Sequence, residues 1–402
     1  MTNIAILGFG VVGSGVADLI VGNATQVAAL GGDQVNIKYI LDLRDFPNSP
    51  FADKVVHDFN IILADEQVDC VVEAMGGSHP AYDFTAAALR AGKHVVTSNK
   101  EVVARYGDDL LKIAREAGVC YRFEAAVGGG IPVISPVINC VGQNKLREIR
   151  GILNGTTNYI LTKMFSFGES FEESLKDAQK RGYAESNPDA DVLGIDACRK
   201  IAILTALATG RLISTDDIHT EGITSIRKED VLAAAKVGLV IKLLGRCLIS
   251  DGSVQVMVAP FMLGSDSPLS SVNGVYNAVE VIGDPLGNVM FYGQGAGAGA
   301  TASAVVGDIM QIMRTGRSYA EPVWVKTNEG LADFGDFESR QYIALSGVSA
   351  DEAKLAFGDV QILAEGEELQ IITAPISERC VVNKLNSLSD KGGKVRSRIR
   401  IA

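Results

Sequence analysis

Positive charge, histidine, aromatic rings and clustered cysteine are all scarce in this chain of 402 residues. It carries 37 lysines and arginines against 48 aspartates and glutamates, a net charge of −11. Sequence-independent binding to nucleic acid or an anionic membrane needs clusters of basic residues, so neither partner is expected. The one basic stretch, Lys391 to Arg400, is short and reads as a solvated terminal strand or arm. The six cysteines, Cys70, Cys120, Cys140, Cys198, Cys247 and Cys380, form no Cys-x-x-Cys pair, and only 4 histidines accompany them. That argues against a zinc or dithiol site. Most of the cysteines sit in apolar runs such as Asp69-Cys70-Val71-Val72 and read as small buried hydrophobes. No basic, apolar leader opens the chain, because Met1-Thr2-Asn3 runs directly into a strand pattern. The longest apolar helix candidate, Val231 to Ile249, carries Lys236, Lys242 and Arg246 and should not span a membrane. The expectation is a soluble, reduced, cytoplasmic protein.

Glycine and aliphatic residues fill the chain instead. Hydrophobic residues make up 47% and glycines number 43, about 15 more than a background near 7% predicts. The glycines follow no Gly-X-Y period, which excludes collagen. Strand patterns at Asn3–Leu7, Asn36–Leu41, Cys70–Glu73, His94–Thr97 and Val119–Glu124 alternate with helical ones at Val11–Val21, Ala81–Ala91 and Glu101–Ala117. Such alternation predicts βαβ units and a parallel sheet over residues 1–135. Helices and then strands follow over 136–292, including strands at Leu239–Ile249, Val254–Met262 and Ala278–Ile282, as in a separate α+β domain. A helix at Ala302–Arg314, after Gly293 to Gly299, is expected to rejoin the first domain over about 293–320. A small β-α-β-β-α unit over 339–402 reads as an appended module.

Gly8-Phe9-Gly10-Val11-Val12-Gly13 is Gly-x-Gly-x-x-Gly, set between a short apolar strand and a helix. In that context it predicts a dinucleotide loop. Gly8 permits the turn, Gly10 lets the backbone approach a pyrophosphate, and Gly13 lets helix and strand pack. The helix amides and dipole favour the phosphates. The end of the second strand bears on the choice of cofactor. Asp42 suits the ribose hydroxyl of NAD and Arg44 the 2′-phosphate of NADP, with a slight lean to NADP. Val71 to Gly77 is a strand ending in two glycines at the expected cofactor edge, and Thr97-Ser98-Asn99-Lys100 ends the next strand beside it.

In Gly151-Ile152-Leu153-Asn154-Gly155-Thr156-Thr157-Asn158 a strand turns into a helix that Thr156 could cap, leaving amides for a carboxylate. Asn154-Gly155-Thr156 also fits a glycosylation sequon, read as chance. Further on, Gly182-Tyr183-Ala184-Glu185 is followed by Asp189, Asp191, Gly194, Asp196 and Lys200. Asp196 and Lys200 lie one helical turn apart and can meet. By themselves they read better as a solvated ion pair.

Together these stretches, with Gly295 to Asp308, resemble homoserine dehydrogenase from the glycine loop to about Arg314. Two positions depart from the family pattern, Ala300 where a proline is usual and Asn187 where an aspartate is common. The resemblance implies a Rossmann-type doubly wound α/β domain and an α+β substrate and dimerisation domain. It implies the interconversion of L-aspartate 4-semialdehyde and L-homoserine with NAD or NADP, in threonine, methionine and isoleucine biosynthesis. Lys200 would be the acid/base lysine, Asp196 its orienting partner, and Lys100 a second lysine near the reacting carbon and the cofactor. Glu185, Asp191, Thr156 and Tyr183 would hold the substrate. Gly8, Phe9, Gly10, Val11, Val12, Gly13, Arg44, Met75, Gly76, Gly182 and Gly297 would meet the cofactor. Glu124, Val127, Gly129 and Ile131 match a sodium loop, in which a carboxylate and backbone carbonyls take a hard cation. A homodimer or homotetramer is expected.

Two other functions fit parts of the sequence. A phosphorylating semialdehyde dehydrogenase would need a nucleophilic cysteine with a base nearby, for which Cys120 and Cys198 are the candidates. A dinucleotide-sensing regulator would bind cofactor without turnover. The terminal unit, about Arg340 to Leu388, resembles a shortened ACT-like domain, which implies a threonine effector; a structural dimerisation tail fits it equally.

Overall fold

A computed structural model describes residues 1–316 and 321–402. The last four residues of the stretch expected to rejoin the first domain, 317–320, lie outside the described residues. The chain divides into two compact units. The first comprises Met1–Lys145, Ala202–Thr215 and Phe291–Asn328, the second Leu146–Ile201, Asp216–Met290 and Glu329–Ala402.

The first unit holds a parallel six-stranded sheet. Its strands are β1 (Thr2–Leu7), β2 (Val35–Leu41), β3 (Val55–Val56), β4 (Cys70–Glu73), β5 (His94–Thr97) and β6 (Tyr121–Arg122), in the order β3-β2-β1-β4-β5-β6. The order reverses at β1 and β4, the crevice where doubly wound sheets bind their ligands. β4 is buried along its whole length, as the apolar run Cys70–Val72 requires of a strand covered on both faces, and Glu73 is buried with it. Helix Val11–Gly22 presents Val16, Ala17 and Ile20 to Ile4 and Ile6 of β1, and helix Ala298–Thr315 adds Val305, Ile309 and Ile312 to the same core. Gly15 lets these two helices approach: a Cβ there would lie 3.4 Å from the Ala298 carbonyl and from the Ala302 Cβ. Helix Lys100–Ala117 starts at an Asn99 cap and stops at Gly118, whose φ is +66°.

The second unit is built on a mixed sheet of eleven strands. Its main path runs Gly287–Gln294, Tyr276–Asp284, Lys145–Ile152, Val240–Ser250, Ser253–Leu263, Lys394–Ile401, Glu338–Ser346, Leu369–Thr373 and Val360–Ala364. The apolar stretch weighed as a helix over Val231–Ile249 divides into helix Lys228–Lys236 and strand Val240–Ser250. The edge strand Gly287–Gln294 has no buried position, although Val289 to Tyr292 is an apolar run.

The terminal residues do not stand apart. Lys394–Ile401 pairs with both Ser253–Leu263 and Glu338–Ser346, continuing the sheet of the second unit. With helices Ala350–Phe357 and Glu378–Ser389 the end of the chain forms a β-α-β-β-α-β lobe. The basic tail is therefore its last strand and lies inside the sheet, and the expectation of a solvated arm fails at Arg400. That side chain is fully buried, because Glu221 and Glu378 compensate its charge. Of the cysteines, four are buried, while Cys140 and Cys380 are exposed.

Candidate active site

The glycine loop sits where β1 meets its helix. Gly8 has a φ of +90°, and an added Cβ would come within 3.0 Å of the Ala74 carbonyl. A Cβ on Gly13 would lie 2.0 Å from the Gly8 carbonyl, so close strand–helix packing demands glycine there. At Gly10 a Cβ would meet nothing within 4 Å. Its bareness thus keeps space open rather than relieving a contact, which fits a bound pyrophosphate. Val11, the first helical residue, is exposed and Val12 half-buried beside it. The Phe9 amide donates to Asp42 at 2.8 Å.

Asp42 and Arg44, the two opposed cofactor signals, form one ion pair at 3.0 Å. Arg44 holds the Asp42 carboxyl down at about 2, against a smaller opposing effect of burial. The guanidinium lies over the Phe46 ring at 5.1 Å and stays largely exposed.

At the ends of β4 and β5, the Met75 amide donates to buried Glu73, and the Thr97 hydroxyl donates to its other oxygen at 2.5 Å. Asn99 donates to the Gly77 carbonyl at 2.8 Å and caps the helix through the Val102 amide. These contacts fix the Met75–Gly77 turn and set half-buried Lys100 at the first position of that helix.

Glu124 is held by the backbone that follows it. One carboxylate oxygen accepts from the Val133 and Ile134 amides at 2.6 and 2.7 Å, and the other from Ser135 at 2.7 Å. The side chain caps a helix start and supplies acceptors to three backbone donors that would otherwise be buried without them. The Glu124 amide in turn donates to buried Asp308 at 2.9 Å. Val127 and Ile131 are buried in the same loop. Gly129 (φ +58°) lies so close to the Gly295 carbonyl that a Cβ would be 2.5 Å away. Gly297 (φ +126°) then opens the helix at Ala298.

In the second unit Asn154 is the hub. Its side-chain oxygen accepts from the Thr157 amide at 2.9 Å, so Asn154, not Thr156, caps helix Gly155–Phe167. Its amide nitrogen donates to Asp191 at 2.7 Å and Asp196 at 3.0 Å. Asp196 pairs with Lys200 at 2.8 Å, and the Lys200 ammonium also donates to the Leu153 carbonyl at 2.7 Å. Lys200 and Asp196 are both buried, so the surface ion pair that spacing alone allowed is excluded. Burying a lysine is costly without partners, and the carboxylate and carbonyl supply them.

Of the remaining expected substrate residues, Thr156 lies in the first turn of helix Gly155–Phe167, and Tyr183 and Glu185 lie on the adjoining loop. The Thr156 hydroxyl donates to the Tyr183 carbonyl at 2.7 Å. Tyr183 meets Tyr159 edge-on at 5.0 Å. Gly182 (φ +76°) and Glu185 are exposed, and the Glu185 carbonyl accepts from Gln179 at 3.1 Å. Asn154 was not expected in this role. The available signal was a helix-capping pattern, asparagine followed three residues on by Thr157. Its burial also removes the glycosylation reading.

The cysteine alternative loses its nucleophiles. Burial pushes the Cys120 thiol up to about 11 and raises that of Cys198, opposite to what a reactive thiolate requires. His94 accepts from the Cys120 backbone amide at 2.9 Å. No helix among the described residues is long and apolar enough to cross a membrane.

Comparison with known proteins identifies the family. Residues 132–310 match the homoserine dehydrogenase family and residues 8–124 its NAD-binding domain. A homoserine dehydrogenase of Synechocystis is 45% identical over 320 residues, covering 77% of this chain and 73% of that one. One from Bacillus subtilis is 37% identical, covering 82% and 78%. The crystal structure of a homoserine dehydrogenase from Thiobacillus denitrificans superimposes with a TM-score of 0.91 at 31% identity, covering 100% of this chain and 98% of that one. A hyperthermophilic archaeal homoserine dehydrogenase in complex with NADPH has a TM-score of 0.67 at 27% identity, covering 80% and 99%. The chain belongs to the homoserine dehydrogenase family, oxidoreductases acting on a CH–OH group.

Proposed function

We propose that the chain interconverts L-aspartate 4-semialdehyde and L-homoserine, with Lys200 moving the proton at the reacting oxygen. The observation that carries this is the buried Lys200–Asp196 pair tied through Asn154 to Asp191. Bound nicotinamide supplies the hydride for reduction of the aldehyde carbon and accepts it in the reverse direction. Negative charge then grows on the aldehyde oxygen. The Lys200 ammonium stabilises it and donates the proton. Oxidising homoserine, the Lys200 amine takes the hydroxyl proton. Asp196 and the Leu153 carbonyl fix the ammonium so that it is aimed before the substrate arrives. Asp191 and Glu185 hold the substrate ammonium and hydroxyl, with Thr156 and Tyr183 shaping that loop. Lys100 adds a second positive charge near the reacting carbon.

The glycine loop from Gly8 to Gly13, with Met75, Gly76, Gly182 and Gly297, takes the cofactor. We favour NADP over NAD because the exposed Arg44 guanidinium is already oriented on Phe46 and meets a 2′-phosphate by exchanging Asp42 for it. A sodium ion, if bound, takes backbone carbonyls of Glu124, Val127, Gly129 and Ile131, since the Glu124 carboxylate is spent on amides. The β-α-β-β-α-β order of the last 65 or so residues supports an ACT-like lobe with threonine as effector. A cytoplasmic homodimer or homotetramer completes the reading.

The test is an assay of homoserine oxidation with NADP and with NAD, followed by nicotinamide absorbance and repeated over a threonine titration. Activity with NADP exceeding that with NAD is expected, and Arg44→Ala should weaken NADP alone. Absence of turnover with both cofactors overturns the proposal.

A further inference from the structure

We infer that Arg400, near the end of the last strand, is a positioning residue for the substrate turn and acts through Glu221. Its guanidinium grips both oxygens of Glu221 at 2.8 Å and, on its other edge, Glu378 at 2.8 and 2.9 Å. The Phe334 ring covers it at 5.0 Å, and no part of Arg400 reaches water. A sheet interior is served at least as well by an apolar residue, so a fully buried bidentate arginine marks a geometry that must be held.

What it holds is Glu221, whose amide is fixed on the Val258 carbonyl at 2.8 Å and whose carboxylate also meets His219 at 2.7 Å. The next two residues are lodged against the turn that carries Asp191. The Ile223 amide donates to the Val192 carbonyl at 2.8 Å. At Gly222 a Cβ would stand 2.1 Å from that carbonyl, so nothing larger than hydrogen fits. From the other side Gly194 (φ +82°) approaches the Glu221 carbonyl, where a Cβ would stand at 3.1 Å. The Gly194 amide closes the turn on the Asp191 carbonyl at 3.0 Å, and Asp191 meets Asn154 at 2.7 Å. A shift of Glu221 therefore displaces Asp191 from Asn154. Glu378, the second carboxylate on Arg400, heads a helix of the terminal lobe, so the same contacts run from that lobe to the substrate turn. The chain of contacts is contiguous from Arg400 to Asp191. The inference rests on the reading of Asp191 as a substrate-binding residue.

The test compares Glu221→Gln, Arg400→Lys, Asp191→Asn and Glu368→Gln in the full-length enzyme, measuring KM for homoserine, kcat, NADP affinity and Tm. Glu368 pairs with Arg227 at 2.8 Å and ties the same lobe to helix Lys228–Lys236, so its variant reports on lobe stability alone. Glu221→Gln should raise KM for homoserine about fivefold to tenfold, with kcat within about twofold and NADP affinity unchanged. Arg400→Lys keeps the charge without the fork and should give an intermediate KM. Glu368→Gln should move Tm but not KM. A KM unchanged in Glu221→Gln, or in Arg400→Lys if the former does not fold, while Asp191→Asn raises it, overturns the inference. An unchanged KM in Asp191→Asn overturns instead the reading of Asp191 beneath it.

Discussion

The Lys200 ammonium lies 2.8 Å from the Asp196 carboxylate one helical turn before it, with both side chains withdrawn from water. Removing one partner of such a pair leaves the other charge buried, at a cost of about 3–5 kcal/mol. Lys200→Ala should therefore lower Tm and also reduce kcat by about 10²–10⁴-fold, the usual contribution of a positioned acid. NADP binding, measured by fluorescence titration, should be retained. Asp196→Asn should cost less in kcat than Lys200→Ala, because the lysine remains and keeps the Leu153 carbonyl as an anchor. Near-normal turnover in folded Lys200→Ala would remove Lys200 from the mechanism.

Gly10 and Gly13 separate two uses of glycine in one loop. Gly13→Ala drives a Cβ to 2.0 Å from the Gly8 carbonyl, so it should lower Tm as well as cofactor affinity. Gly10→Ala meets nothing within 4 Å in the protein, and the φ of −82° at that position suits alanine. Its stability should stay within about 0.5 kcal/mol of the parent, while NADP affinity falls about tenfold or more because the methyl group occupies the pyrophosphate approach. Calorimetric titration alongside thermal melts distinguishes the two. A Gly10→Ala protein with full cofactor affinity would place the pyrophosphate elsewhere.

The three amides collected by Glu124 make a stability prediction. Glu124→Gln turns an NH₂ group towards donors that had an acceptor, leaving at least one buried amide unmatched. That costs about 1–3 kcal/mol, which should appear as a loss of several degrees in Tm. Because the side chain serves the backbone, the loss should be the same in sodium and in potassium buffers. A Tm loss seen only in sodium would return the carboxylate to the ion.

How much of this could be read from the sequence depends on how far apart the partners lie. The first sheet was legible because its buried parallel strands carry unbroken apolar runs, such as Cys70–Val72, separated by helical periods. The glycine loop and the Asp196–Lys200 pair were legible because each is complete within six residues. Asn154 was not, since its partners Asp191 and Asp196 are 37 and 42 residues away and a cap signal does not foretell them. Arg400 misled for the same reason. A run of basic residues reads as solvated until Glu221, 179 residues earlier, is brought to it. The capping role of the Glu124 carboxylate was not legible, because the amides it accepts from are nine to eleven residues downstream and carry no side-chain signature.

Glu73 should give the enzyme a pH-dependent stability. Its carboxyl is fully buried, and burial pushes its pKa up to about 7, although hydrogen bonds from Thr97 and Met75 pull the other way. The folded value thus stands above the ordinary 4.5 of an unfolded chain. Between the two the folded protein binds the extra proton, so stability must fall as pH rises. The contribution is fully present below the unfolded value and is lost as pH climbs through about 7. Its full span is about 3 kcal/mol. Asp308 and Glu321, raised by burial to about 8 and about 7, slope the same way, so the difference between variant and parent is the quantity to measure. Glu73→Gln keeps a neutral group that can both donate and accept at the ends of β4 and β5. Melts at several pH values from about 5 to about 8 should show the variant gaining on the parent as pH rises. Parallel curves for the two proteins would mean that Glu73 titrates alike in the folded and unfolded chain.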